Sequence, residues 1–81
     1  MTSSVFTKKY EILKELLIEY RKRAGFTQQN LSELIDKPQS YVSKYETGER
    51  RLDLVEFIDL AEALHFDKYQ FIKELEDRAS K

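Results

Sequence analysis

Cysteine is absent from the 81 residues, histidine and proline occur once each, and glycine occurs twice. Without cysteine the chain has no disulfide, no thiol nucleophile and none of the commonest zinc-binding patterns. Its two glycines, Gly25 and Gly48, stand far apart, which excludes a glycine-rich phosphate loop. The lone histidine, His65, falls at the end of a helical pattern beside Phe66, where histidine tolerates left-handed backbone, and is read as structural rather than catalytic. The carboxylates fall at helix starts and on solvent faces, without metal-ligand spacing. No catalytic residue, metal or cofactor is therefore expected. There is no apolar run of membrane-spanning length, and the opening MTSSVFTKKY lacks a signal-peptide core, so the expectation is a cytoplasmic protein that does not enter a membrane. A chain this short is read as one domain with a modest core.

Charge of either sign is also scarce in excess: the net charge is −1. Its distribution is uneven. Residues 1–51 hold 10 Lys and Arg against 7 Asp and Glu, whereas residues 52–81 hold 4 against 8. The basic excess travels with the central segment described next, and the acidic excess would face away from a polyanion. Such a gradient predicts modest non-specific affinity for nucleic acid and a shallow salt dependence.

What is present is a stretch from Phe26 to Arg51, FTQQNLSELIDKPQSYVSKYETGERR, that reads as two short helices joined by a tight turn. Thr27 suits an N-cap, and Phe26 with Leu31 has the spacing of a hydrophobic staple. Leu31, Leu34 and Ile35 make one apolar stripe. Asp36 and Lys37 interrupt it, Pro38 suits the first position of a second helix, and Gly48 suits its left-handed stop. On that second helix, about 38–47, Val42 and Tyr45 share the inward side. Gln39, Ser40, Ser43, Lys44 and Thr47 share the other, a polar face uncharged apart from Lys44. Exposed helices are more often covered by salt-bridged Glu and Lys. Gln, Lys and Ser side chains can reach base edges in a major groove. Thr27, Gln28 and Gln29 open the preceding helix with side chains and backbone donors suited to phosphate. A clamping helix followed by a reading helix is a helix-turn-helix.

The segment TQQNLSELIDKPQSYVSKYETGERRLD resembles the helix-turn-helix of the Xre family, the bacterial and phage repressor/Cro-like DNA-binding proteins. The matching pieces are Thr27–Gln28, Leu31, Ile35, Ser40–Tyr41–Val42–Ser43, Tyr45–Glu46 and Gly48, within a likeness running from about Leu13 to Phe71. It implies an all-α, five-helix repressor-like bundle with a central helix-turn-helix (motif about 27–47). It also implies base reading by Gln39, Ser40 and Lys44, a phosphate contact from Gln28, and a partly buried ion pair between Arg21 and Glu46. Asp36 stands where the family usually has glycine in the turn, Ser32 where it has a smaller residue, and His65 where glycine commonly follows the fourth helix.

Outside the motif, residues 1–6 are read as a frayed leader and 7–79 as the domain. A first helix is expected from about Thr7 to Ala24, with Gly25 as its stop and Tyr10, Leu13, Leu17, Tyr20 and Ala24 as its inward stripe. Ile12, Leu16 and Ile18 widen its apolar surface, to meet the C-terminal helix, stand exposed, or form a subunit contact. Lys22 and Arg23 end this helix as dipole partners or phosphate contacts. Arg50 and Arg51 leave the reading helix where a DNA backbone would pass, or else pair with Glu49 or Asp53. Tyr41, on the flank, packs on a neighbouring helix or lies on sugar-phosphate. Asp53 and Glu56 spell a capping box with Leu52–Phe57 as staple, and Phe57, Ile58, Leu60, Ala61 and Leu64 are expected in the core. Asp67, Gln70 and Phe66–Phe71 repeat that pattern before Tyr69, Ile72 and Leu75 on a last helix.

Taken together, these features point to a sequence-specific double-stranded DNA-binding transcriptional regulator. Bases are read by Gln39, Ser40, Ser43 and Lys44, and the backbone is held by Thr27, Gln28, Tyr41, Arg50 and Arg51. One helix reads few base pairs, so a homodimer on a two-fold symmetric operator is expected, with a protein co-regulator as a possible further partner. The alternative is a protein-interaction or antitoxin-like module on the same scaffold, since folds do not fix functions.

Overall fold

The computed structural model describes residues 7–81. The leader assigned to residues 1–6 lies outside the described residues. Five helices make up the described chain: α1 (Lys8–Arg23), α2 (Gln28–Leu34), α3 (Gln39–Thr47), α4 (Leu54–Leu64) and α5 (Lys68–Ala79). Each start is set by local chemistry. The Thr7 hydroxyl accepts from Tyr10 N at 3.2 Å, and Thr27 accepts from Asn30 N at 3.0 Å. Asp53 and Glu56 form the full capping box, with Asp53 Oδ1 accepting from Glu56 N at 2.7 Å and Glu56 Oε1 from Asp53 N at 3.0 Å. Asp67 caps α5 through Tyr69 N and Gln70 N, but Gln70 returns no bond, so only half of the expected box forms. Pro38 is the N-cap of α3 rather than its first residue; its backbone is extended, at ψ 154°.

The helix ends need left-handed backbone at four places. Gly25 and Gly48 supply two, at φ +85° and +91°. Asp36 and His65 supply the others, at +59° and +58°, where the strain on a residue with a Cβ is offset by the bond that closes each turn, Lys37 N to Ser32 O at 2.8 Å for Asp36 and Phe66 N to Ala61 O at 3.0 Å for His65. The turn between α2 and α3 thus takes its shape without glycine.

The core lies where α1, α3, α4 and α5 converge over α2. Leu16, Leu31, Val42, Tyr45, Leu60 and Phe71 are almost wholly buried, each large aliphatic side chain there contributing about 1.5–3 kcal/mol. Tyr20, Phe57, Phe66 and Phe71 make an aromatic cluster, Tyr20 meeting both Phe66 and Phe71 edge-on at 4.8 Å. At the surface Arg78 makes two 3.0 Å bonds to Glu19, clamping α5 to α1.

Two apolar expectations are corrected, on α1 and α2. The buried side of α1 is Ile12, Leu16, Leu17 and Tyr20 with Arg21; Tyr10 and Leu13 lie at its margin and Ala24 is exposed. Ile12 and Leu16 are therefore core residues, not a subunit contact. Leu34 stands half exposed, leaving Leu31 and Ile35 as the inward side of α2. On α5 the buried anchor is Phe71, whereas Tyr69 and Ile72 face solvent.

Candidate nucleic-acid interface

The site is built on α3. Val42 and Tyr45 fix the helix in the core, and Gln39, Ser40, Lys44 and Thr47 stand exposed on its far side with Ser43 half-buried beside them. Tyr45 is so enclosed that burial pushes its phenol well above the usual range, and Glu46 adds to the shift. It is a packing residue, and the face opposite it is the surface on offer.

The orientation of that surface is set by Glu46. Its Oε2 accepts from Arg21 Nε at 2.8 Å and its Oε1 from Arg21 Nη2 at 3.2 Å, in a two-point ion pair that is buried on both sides. The remaining guanidinium nitrogen, Nη1, donates to Phe26 O at 2.8 Å. Glu46 Oε1 also accepts from Gln28 Nε2 at 2.9 Å. One carboxylate thus joins α1, the loop before α2, α2 itself and α3. Gln28 is not free to swing: one amide hydrogen is committed to Glu46, which leaves its second hydrogen for an outside acceptor. Thr27, Gln28, Gln39, Arg21 and Lys22 share one shallow depression along this flank of α3.

On the other flank Tyr41 is half-buried against α4. Its ring meets Tyr45 edge-on at 5.6 Å and carries two cations, Arg50 at 4.7 Å and Lys37 at 5.3 Å from the centroid. Burial, then the charge of Glu56, raises the Tyr41 phenol. Arg50 pairs with Glu56, not with Glu49 or Asp53, through bonds of 3.0 and 2.6 Å. That pairing, with the backbone bond from Asp53, holds the Glu56 carboxyl down at about 2. Arg51 is exposed and stacks 4.2 Å from the centre of the Tyr10 ring. The site residues read from the sequence therefore fall into a polar face and two flanks, with Arg51 apart beside α1.

Two residues escaped the sequence reading. Lys14 donates to Thr47 O at 3.3 Å and lies against Gly48, a cation from α1 at the C-terminal end of α3. Lys37 appeared only as a turn residue; it lies ahead of α3, so helical spacing gave no signal of its approach to the Tyr41 ring.

Residues 17–68 match the helix-turn-helix family model. Among solved structures, an XRE-family like protein from Pseudomonas syringae pv. tomato str. DC3000 is 40% identical to this chain. The match covers 93% of this chain and 92% of that one, with a TM-score of 0.83. The chain belongs to the Xre family of helix-turn-helix proteins. A search of curated proteins finds no match. This Xre-family chain is accordingly a DNA-binding helix-turn-helix regulator on an all-α bundle. Among the described residues no helix is long and apolar enough to cross a membrane, and no group of three His, Cys, Asp or Glu could hold a metal ion.

Proposed function

We propose that the protein is a sequence-specific transcriptional regulator that inserts α3 into the major groove of duplex DNA. The observation that carries this reading is the row of exposed Gln39, Ser40 and Lys44 with half-buried Ser43, on a helix whose other side is locked in the core. Gln bonds adenine and Lys bonds guanine through groups that no other base pair presents in the same pattern, and Ser serves either. Thr27 and the outward hydrogen of Gln28 hold phosphate on one side. Tyr41 and Arg50 hold it on the other, Arg50 keeping donors beyond those given to Glu56, and Arg51 reaches the backbone from its separate place beside α1. A single reading helix covers too few base pairs for a unique site, so the protein acts as a homodimer on half-sites about one helical turn apart. It works in the cytoplasm.

The interaction-module reading has one observation in its favour. Leu54, Val55, Tyr69 and Ile72 are exposed, and Leu13, Leu52, Leu54, Phe57, Ile72 and Leu75 line an apolar cleft of about 190 Å³. That surface suits a second copy or a co-regulator and does not compete with the polar face for residues.

Selection from a randomised duplex pool at near-physiological salt tests the proposal. A two-fold symmetric enriched sequence is the expected result. A single enriched half-site would remove the dimer, and no enrichment by folded protein would leave the interaction module as the reading.

A further inference from the structure

We infer that Lys37, Tyr41 and Arg50 form a second phosphate-holding ledge, on the opposite flank of α3 from Gln28, so that the two strands bordering the groove are gripped by chemically different devices. The inference rests on the DNA-binding reading above and adds Lys37 as a ligand-binding residue and Glu56 as a positioning residue.

Helical geometry places the two flanks. Starting from the buried Val42–Tyr45 arc and going one way round α3 leads to Glu46 and Gln39; going the other way leads to Tyr41. Each flank has its own depression. One is lined by Thr27, Gln28 and Gln39, the other by Lys37, Tyr41, Glu56 and Asp59. A helix seated in the major groove has a phosphate strand along each side, so each depression meets one strand.

The first device holds phosphate through an amide, with the exposed Lys22 in the same depression. That amide is Gln28, and the nearby Arg21 is already neutralised inside by Glu46. The second is cationic and built on an aromatic platform. The Tyr41 ring has Arg50 and Lys37 both within 6 Å of its centroid, the range in which a ring quadrupole attracts a cation. Glu56 fixes Arg50 on the ring while cancelling its charge, and among the described residues Lys37 makes no ion pair. Asp59 shares the depression and is exposed, so it opposes a phosphate there. Lys37 is then the cation of this ledge that displaces counterions when DNA arrives.

Salt dependence separates the two devices. Affinity for a short random-sequence duplex is measured over a range of salt concentrations, with helical content checked by circular dichroism. Lys37→Met should weaken binding and flatten the log–log salt slope by about 0.9, the loss of one phosphate contact by a cation. Gln28→Ala should weaken binding with the slope unchanged. Glu56→Gln, which keeps a side chain able to complete the capping box, should steepen the slope because Arg50 regains its charge. Tyr41→Leu should lose affinity, because the ring that carries both cations is gone. A wild-type slope in either Lys37→Met or Glu56→Gln would overturn the ledge. Failure of the wild-type protein to bind any duplex would overturn the DNA-binding reading itself, and the ledge with it.

Discussion

Lys14 occupies the space that a Cβ on Gly48 would need: its Nζ and Cδ lie 3.1 and 3.2 Å from that position, and its ammonium donates to Thr47 O. Gly48 is thereby required twice, once for its φ of +91° and once for the approach of α1. Gly48→Ala should destabilise the free protein by about 1–2 kcal/mol, read by urea or thermal unfolding. Because the contacting atoms are the flexible end of a lysine, repeating the substitution in a Lys14→Ala background should recover only a minor part. Full recovery would assign the cost to the contact instead of the backbone.

Removing Glu46 leaves the Arg21 guanidinium buried without a counter-charge. Glu46→Ala should cost about 3–5 kcal/mol, a large share of the stability of a domain this small. A double replacement, Arg21→Met with Glu46→Leu, should return much of the loss. It should not return DNA affinity in full, because Gln28 loses its anchor as well. Melting curves and binding isotherms on the same variants check both halves.

Acid should remove the stability that the Arg50–Glu56 pair contributes. Glu56 titrates at about 2 in the folded protein, below its ordinary value near 4.5, and Arg78 lowers Glu19 in the same direction. A carboxyl depressed by folding contributes stability that is complete above the unfolded value and is lost as pH falls toward the folded one. The melting temperature should therefore hold above about pH 4.5 and decline from there toward pH 2. Glu56→Gln should melt lower at neutral pH and show a shallower acid decline.

Base reading and backbone holding differ in how a variant treats unlike sequences. Lys44→Ala should cost about 1–3 kcal/mol on the selected sequence and relax preference at one position per half-site. Gln28→Ala should weaken all sequences alike. Competition binding against single-substitution duplexes measures this, and equal losses for both variants would make Lys44 a backbone contact.

Sequence reading succeeded where a local rule governs and failed where distant parts decide. The helix starts at Thr7, Thr27, Asp53 and Asp67, and the left-handed residues Asp36, Gly48 and His65, follow from chemistry within a few positions. The phase of α1 did not. From Tyr10 to Tyr20 apolar residues occur on most sides, so periodicity admits several inward faces. The buried Arg21, drawn in by a carboxylate 25 positions later, helps select the one containing Ile12 and Leu16. Glu56 was legible as half of a capping box but not as the partner of Arg50, and Lys14 could not be linked to Thr47 across 33 residues. At the site the residues of the polar face were legible from helical phase alone. How Gln28, Arg50 and Tyr41 are held was not, since each is held by a side chain on another element.

Glu46 also bears on the thermodynamics of association. With α1, α2 and α3 already tied through its two oxygens, the groove-facing surface is shaped before DNA arrives. Little conformational entropy remains to be lost on docking. The heat-capacity change of binding should then match the surface removed from water, without the larger negative value that accompanies folding upon binding.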